Sequence, residues 1–192
     1  VKNKLNVVQK VNSKYGKSSQ TELLFSFLTS DMENISDTLQ SVDPVAFEAA
    51  VDVILEAKTI YIVGIRRCEP LAECLSFYLN MIRGDVVLLK TTSVSEMFEQ
   101  MIRIDEKDAV IGISFPRYSM RTLKAMEFAT DRNAKVISIT DNVHSPMCLY
   151  SSCNLFARSD MVSIVDSLVA PLSVINALVV ALCLRVPDQV KH

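Results

Sequence analysis

The sequence predicts an α/β fold: a five-stranded parallel sheet with helices on both faces, preceded by a helical extension. Three observations predict it. Strand-like apolar runs recur at 59–65, 85–90, 108–114, 134–140 and 153–157. They are apolar on consecutive positions rather than alternating, as strands covered on both faces are. Helix-period segments separate them, and strand and helix in strict turn build right-handed βαβ units on a parallel sheet.

Residues 1–17, "VKNKLNVVQKVNSKYGK", are polar, basic and weakly periodic, and read as a linker or a frayed helix. A start of this kind, without Met, is expected of a piece cut from a longer protein. From Ser18 to about Leu39 apolar residues recur at helical spacing: Leu23, Leu24, Phe27, Leu28, Met32, Ile35 and Leu39. In "DPVAFEAAVDVILEAK" (43–58) Asp43 is the expected N-cap and Pro44 the first helical residue of a second helix. Helical patterns near 70–83, 93–103, 118–131 and 146–151 alternate with the strands, and a long helix at about 163–185 closes the fold. These elements divide the chain into a linker and N-terminal helix (1–42), one α/β domain (43–186) and a tail (187–192).

The closing helix invites a membrane reading, since "LVAPLSVINALVVALCL" (168–184) is 17 residues without a charge. A spanning helix wants roughly 20. Pro171, Ser173 and Asn176 interrupt the run, and Asp166 and Arg185 bracket it, so a helix buried in a core or an interface is expected. Its apolar residues, Val169, Leu172, Val174, Ile175, Leu178, Val179 and Leu182, occupy most of its faces. One sheet cannot cover them all. A homodimer or tetramer is therefore expected, with this helix or the 18–39 helix at an interface.

At 192 residues, 49% hydrophobic and 22% charged, the composition is that of one ordinary globular domain with an extension. A net charge of −2 gives no basic patch, so DNA binding by this chain itself is not expected. The five cysteines, Cys68, Cys74, Cys148, Cys153 and Cys183, are odd in number and form no CxxC pair. Reduced, mostly buried thiols in a cytoplasm are the expectation. The start lacks the apolar core of a secretory signal. His144 and His192 are the only histidines, and neither a metal nor a cofactor is expected.

Five parallel strands suggest the flavodoxin-like order 2-1-3-4-5, whose crevice opens between strands 1 and 3 at their carboxyl ends. The loops bordering it are "GIRRCEP" (64–70) and "SFPRYS" (114–119), the two with unusual chemistry. Gly64 permits a sharp turn; Arg66, Arg67 and Cys68 follow, and Pro70 opens a helix. Ser114 and Ser119 flank Arg117 and Tyr118, with a helix starting near Ser119. Helical N–H groups, a hydroxyl and a guanidinium together bind phosphate well. These eight residues are the candidate ligand site. The competing reading makes Ser119 an N-cap and Arg117 a solvated surface residue. Tyr118 either covers a sugar face or packs.

The acids bear on catalysis. No glutamate follows Glu127. Sugar-phosphate isomerisation needs a base near the substrate, and Asp166 with His144 is the only pair available for it. Asp166 also reads as the start of the last helix, and His144 as part of the turn before Ser145-Pro146. No catalytic residue is assigned.

Four segments, in order and correctly spaced, resemble the SIS (sugar isomerase) domain, and most closely the effector domain of RpiR/MurR-type bacterial transcriptional regulators. They are "ILEAKTIYIVGIRRCEPLAECL", "AVIGISFPRYSMRTLKAMEFA", "AKVISITDNVHSPM" and "SLVAPLSVINALV". The resemblance implies the SIS fold and a phosphosugar ligand held by a GxGxS loop and an SxSGxT loop. This sequence departs at both. Arg66 stands where the second glycine is usual and Cys68 where the serine is, with Arg67 at that place in another register. Ser114 and Ser119 match the second loop, while Pro116 and Arg117 replace Ser and Gly. The phosphate-binding role carries over to Ser114 and Ser119. Arg66 and Arg117 suggest a more highly charged ligand, or a salt bridge across an oligomer.

In such regulators a helix-turn-helix domain, absent from this chain, precedes the SIS domain and contacts DNA. Three readings follow. The chain is a dimeric ligand-sensing module without catalysis, a stand-alone sugar-phosphate isomerase, or a degenerate domain that binds nothing. The "SFPRYS" loop, the polar leader and the missing glutamate favour the sensor. Fold alone does not separate the three.

Overall fold

The computed structural model describes residues 7–90, 93–160 and 164–186. Helices α1 (Val7–Tyr15), α2 (Gln20–Ser41) and α3 (Pro44–Glu56) lead into strand β1 (Ile60–Gly64). Then come α4 (Glu69–Ile82), β2 (Val86–Leu88), α5 (Val94–Gln100), β3 (Ala109–Ile113), α6 (Met120–Thr130), β4 (Lys135–Thr140), β5 (Cys153–Phe156) and α7 (Val169–Arg185). The sheet is parallel throughout, as the alternation predicts, and has the suggested order β2-β1-β3-β4-β5.

The unbroken apolar runs are explained by two cores. Ile60, Ile62, Ile111, Ile113, Ile137 and Ile139 pack on the face covered by α3, α4 and α7. Tyr61, Val63, Val110 and Val136 point the other way, onto Met97, Met126 and Ala129 of α5 and α6. Gly112 lies beneath α6, where a Cβ would come within 2.5 Å of Met126 Sδ. The sheet and that helix therefore approach closely.

Local signals set several boundaries. Asp43 Oδ1 accepts from the N–H groups of Val45 (2.9 Å) and Ala46 (3.2 Å), with Pro44 next to it. Ser19 and Glu22 form a reciprocal capping box at the start of α2, one residue after the expected Ser18. Within 1–17 the described part holds a helix, α1, with no buried residue. The segments expected as helices at 93–103 and 146–151 are shorter: one is α5, the other a 3-10 turn at Pro146–Leu149. Strand 2 likewise contracts to three residues at the sheet edge.

The last helix begins at Val169 rather than 163. Pro171 gives one reason, since its ring collides with the carbonyl four residues back and so bars Ser167 from a continuous helix. The other lies in α2. Its two buried residues are polar, Asn34 and Thr38. Thr38 Oγ1 accepts from Arg158 N–H at 2.9 Å, and Asn34 pairs with both backbone groups of Asp160 (2.9 and 3.3 Å). Ser167 Oγ donates to Asp31 Oδ1 at 2.6 Å. α2's polar stripe thus satisfies backbone groups of Arg158 and Asp160 that a helix would pair internally, and holds Ser167 through its side chain. Asp166 accordingly lies ahead of the helix rather than at its start, and Leu168 occupies the N-cap position. The expected tail at 187–192 lies outside the described residues. No helix among the described residues is long and apolar enough to cross a membrane.

Candidate functional site

The last rung of the β1–β3 ladder pairs Gly64 with Ile113, so the two unusual loops leave the sheet side by side. Strand order reverses there, and open α/β sheets bind ligands at that crevice. Gly64 is required for closeness rather than for a left-handed turn. Its φ is not positive, but a Cβ would lie 2.6 Å from the Cys68 carbonyl oxygen and 2.9 Å from Ala72 Cβ. The left-handed residues are two arginines, Arg66 (φ 59°) and Arg117 (φ 67°), one in each loop. An L-residue pays roughly 1–2 kcal/mol for that conformation. Both stand where the resembling family's pattern has glycine, and strain of this kind clusters at functional sites.

Between the loops lies a cleft of about 570 Å³, lined by 65–68, 114–115 and 117–121. It gathers seven of the eight residues singled out in the sequence: Arg66, Arg67, Cys68, Ser114, Arg117, Tyr118 and Ser119. Gly64 lines an adjoining cleft of about 540 Å³ that shares Ile65, Arg66 and Arg121 and brings in Glu69, Lys90 and Glu96. His144 sits on the exposed turn after β4, outside both linings.

The cationic groups are unevenly committed. Arg67 donates to the Asp166 carboxylate and, through its other terminal nitrogen, to the Pro116 carbonyl. Arg117 Nη2 donates to the same Asp166 Oδ2 at 2.9 Å. Arg67 thereby stitches the first loop to the second and both to the segment before α7. Asp166's side chain is 14% exposed and Arg117's 69%. Arg66 is exposed and has no carboxylate partner among the described residues. Asp166 as the partner of two arginines is what sequence reasoning missed: it lies 99 residues from Arg67 and 49 from Arg117, and no local pattern links them.

The hydroxyls shape the second loop. Ser114, buried, accepts the backbone N–H of Ser119 at 3.0 Å and closes the loop. Ser119 caps α6, its Oγ accepting from Thr122 N–H at 3.4 Å. Tyr118 packs and also donates to Asp141 Oδ1 at 2.8 Å. Burial, then that hydrogen bond and the Asp141 charge, push its phenol up to about 12. Cys68 is buried in the first loop, and burial raises its thiol against the opposing pull of Arg67's charge and a Phe115 backbone hydrogen bond. It presents a neutral S–H to the cleft, a weak donor.

These parts suit an anion: guanidinium groups from two loops meet the opening turn of α6, where unsatisfied N–H groups carry the helix's positive end. No Asp, Glu or His belongs to the lining of the main cleft.

Comparison with known proteins fits this geometry. In solved structures the chain is similar to the sugar isomerase domain of the RpiR transcription factor from Sphaerobacter thermophilus. The TM-score is 0.84 at 28% identity, covering 88% of this chain and 94% of that one. The fold also matches the Vibrio vulnificus NanR protein complexed with ManNAc-6P, at TM-score 0.77 and 20% identity, over 94% of this chain and 68% of that one. Among curated proteins it is 25% identical over 127 residues to the isomerizing glutamine–fructose-6-phosphate aminotransferase of Pyrobaculum aerophilum, spanning 66% of this chain and 21% of that protein. The family model of the SIS domain matches residues 53–181, which take in every strand of the sheet and both loops of the cleft, and the chain belongs to the SIS domain family.

Proposed function

We propose that this chain is the ligand-sensing SIS domain of a bacterial RpiR-type transcriptional regulator. Its effector is a phosphosugar or a related anionic sugar metabolite, bound without conversion. The observation that carries the reading is the cleft at the β1–β3 crossover, where Arg67 and Arg117 converge beside the capped start of α6. Similarity to an RpiR sugar isomerase domain over 88% of the chain supports the regulator over other SIS proteins. The state of Asp166 supports a sensor over a catalyst, since two guanidinium groups hold the carboxylate that isomerisation would need as a base. DNA contact then belongs to a separate helix-turn-helix domain, and the protein works in the cytoplasm as a homo-oligomer.

Within the cleft the phosphate, or another anionic end, lies at the start of α6. Ser119 donates its hydroxyl, Arg117 supplies charge, N–H groups near Arg121 complete the cradle and Arg66 approaches from the first loop. Gly64, Arg67, Cys68, Ser114 and Tyr118 shape the surround. Thermal-shift screening against phosphosugars, sugar acids and nucleotides, followed by calorimetry on the hit, tests the reading. A charged hydrogen bond is worth roughly 1.5–3 kcal/mol, so Arg117→Ala weakens binding about ten- to a hundred-fold and Ser119→Ala less. Unchanged affinity in both variants places the anion elsewhere. The similarity to an isomerizing aminotransferase favours a sugar-phosphate isomerase as the second reading. Conversion of the bound sugar to an isomer by the parent chain establishes it and ends the sensor reading.

A further inference from the structure

We propose that Asp166, which lies outside the lining of the cleft but pairs with two arginines that belong to it, is a built-in competitor that weakens the cleft's hold on anionic ligands. The inference rests on the anion-binding reading above and deepens it by naming the residue that sets how tightly the anion is held.

Asp166 Oδ2 accepts from Arg67 and, at 2.9 Å, from Arg117 Nη2. Both arginines line the cleft. With its side chain 14% exposed, the carboxylate is held inside rather than solvated. Its neighbour Ser167 is anchored to Asp31 of α2 at 2.6 Å, which fixes the backbone that presents it. The fold therefore delivers one negative charge to the guanidinium pair that an incoming anion meets.

An incoming anion must overcome that. A ligand carboxylate that takes Asp166's place exchanges one single charge for another. It also strands a largely buried carboxylate without partners, and leaving such a charge unpaired is costly. A phosphate monoester brings about −1.5 to −2 charges at pH 7 and three strong acceptor oxygens. It offers both guanidinium groups more than Asp166 does, with oxygen left for Ser119 and the N–H groups of α6. An anion bound beside Asp166, rather than in its place, meets the same carboxylate as a repelling charge. Both arrangements give the same sign: removing the charge at 166 tightens anion binding.

The experiment titrates the parent, Asp166→Asn and Arg117→Ala with sulfate, a dianion, and acetate, a monoanion. Ionic strength is held constant and the backbone amides are followed by NMR. The parent is expected to bind sulfate more tightly than acetate, and Asp166→Asn to bind sulfate about ten-fold more tightly than the parent. Acetate binding is expected to tighten in the variant as well. Equal or weaker sulfate binding by Asp166→Asn overturns the proposal. A thermal melt without anions checks that the variant is folded. Should it not fold, the parent alone decides: amides of Asp166 and Ser167 move in step with those of Arg67 and Arg117 as sulfate saturates, and stationary Asp166 and Ser167 overturn the proposal. Sulfate binding that needs Arg117 but ignores Asp166 sinks this inference alone. Absence of sulfate binding in every protein, or binding that ignores Arg117, removes the anion-site reading as well.

Discussion

Two arginines hold a backbone conformation that glycine adopts without strain. At Arg117 the left-handed φ costs about 1–2 kcal/mol, whereas glycine there would lose about 0.5–1 kcal/mol of extra chain entropy. The ion pair to Asp166 lost in Arg117→Gly is largely exposed on the arginine side and worth little. Arg117→Gly is therefore expected to keep its thermal midpoint, or raise it slightly, while losing phosphosugar affinity. A stability loss above about 1 kcal/mol refutes the strain account. Tyr118 makes a pH prediction. Its folded pKa of about 12 lies above the ordinary tyrosine value near 10, so the native state keeps a proton that the unfolded chain sheds. That contribution is whole below about pH 10 and drains away as pH climbs towards 12. Urea melts at rising pH should show a shallower alkaline decline for Tyr118→Phe than for the parent. Identical slopes refute the assignment.

Among the elements, α7 and α2 divide the labour. α7 buries Ile175, Leu178 and Leu182 against the sheet and its neighbouring helices, while Val180 stands 59% exposed. Ile175→Ala should cost about 2–5 kcal/mol in chemical denaturation, as fully buried aliphatic truncations do. Val180→Ala should stay within about 0.5 kcal/mol in the isolated subunit. Comparable losses for both would mean that α7 does not pack as described. α2 buries polar side chains instead, because its inward stripe serves the backbone of Arg158 and Asp160 and the side chain of Ser167 rather than a core.

For the whole molecule, unmatched apolar surface points to assembly. Leu24, Phe25, Leu28, Met32 and Leu39 of α2 are 52–74% exposed, and Phe77 and Met81 of α4 stand 63% and 59% exposed. Monomers rarely leave so much large apolar surface bare. The balance thus shifts from α7, covered on one side by α4, α3 and α2, to α2 as the interface element. A homodimer or tetramer is expected by analytical ultracentrifugation at micromolar concentration, with Met32→Asp combined with Leu39→Asp shifting it towards monomer. A clean monomer for the parent refutes the assembly.

The sheet is legible in residue order, because a strand covered on both faces must be apolar at successive positions, and the runs around Ile62, Ile111 and Ile137 are. So are the starts of α3 and α6, since Asp43-Pro44 and Ser119 act on N–H groups two or three residues away. Such signals are local, and local chemistry is legible in order. The convergence of "GIRRCEP" and "SFPRYS" was legible only through a strand order that five alternating strands suggest and the folded sheet fixes. Folding settles that Gly64 answers to the Cys68 carbonyl, that Arg66 and Arg117 take the left-handed backbone, and that the last helix waits until Val169. It alone sets Asp166 between Arg67 and Arg117. These features depend on contacts between segments far apart in the chain, whose distance and direction exist only once the sheet has brought its loops together.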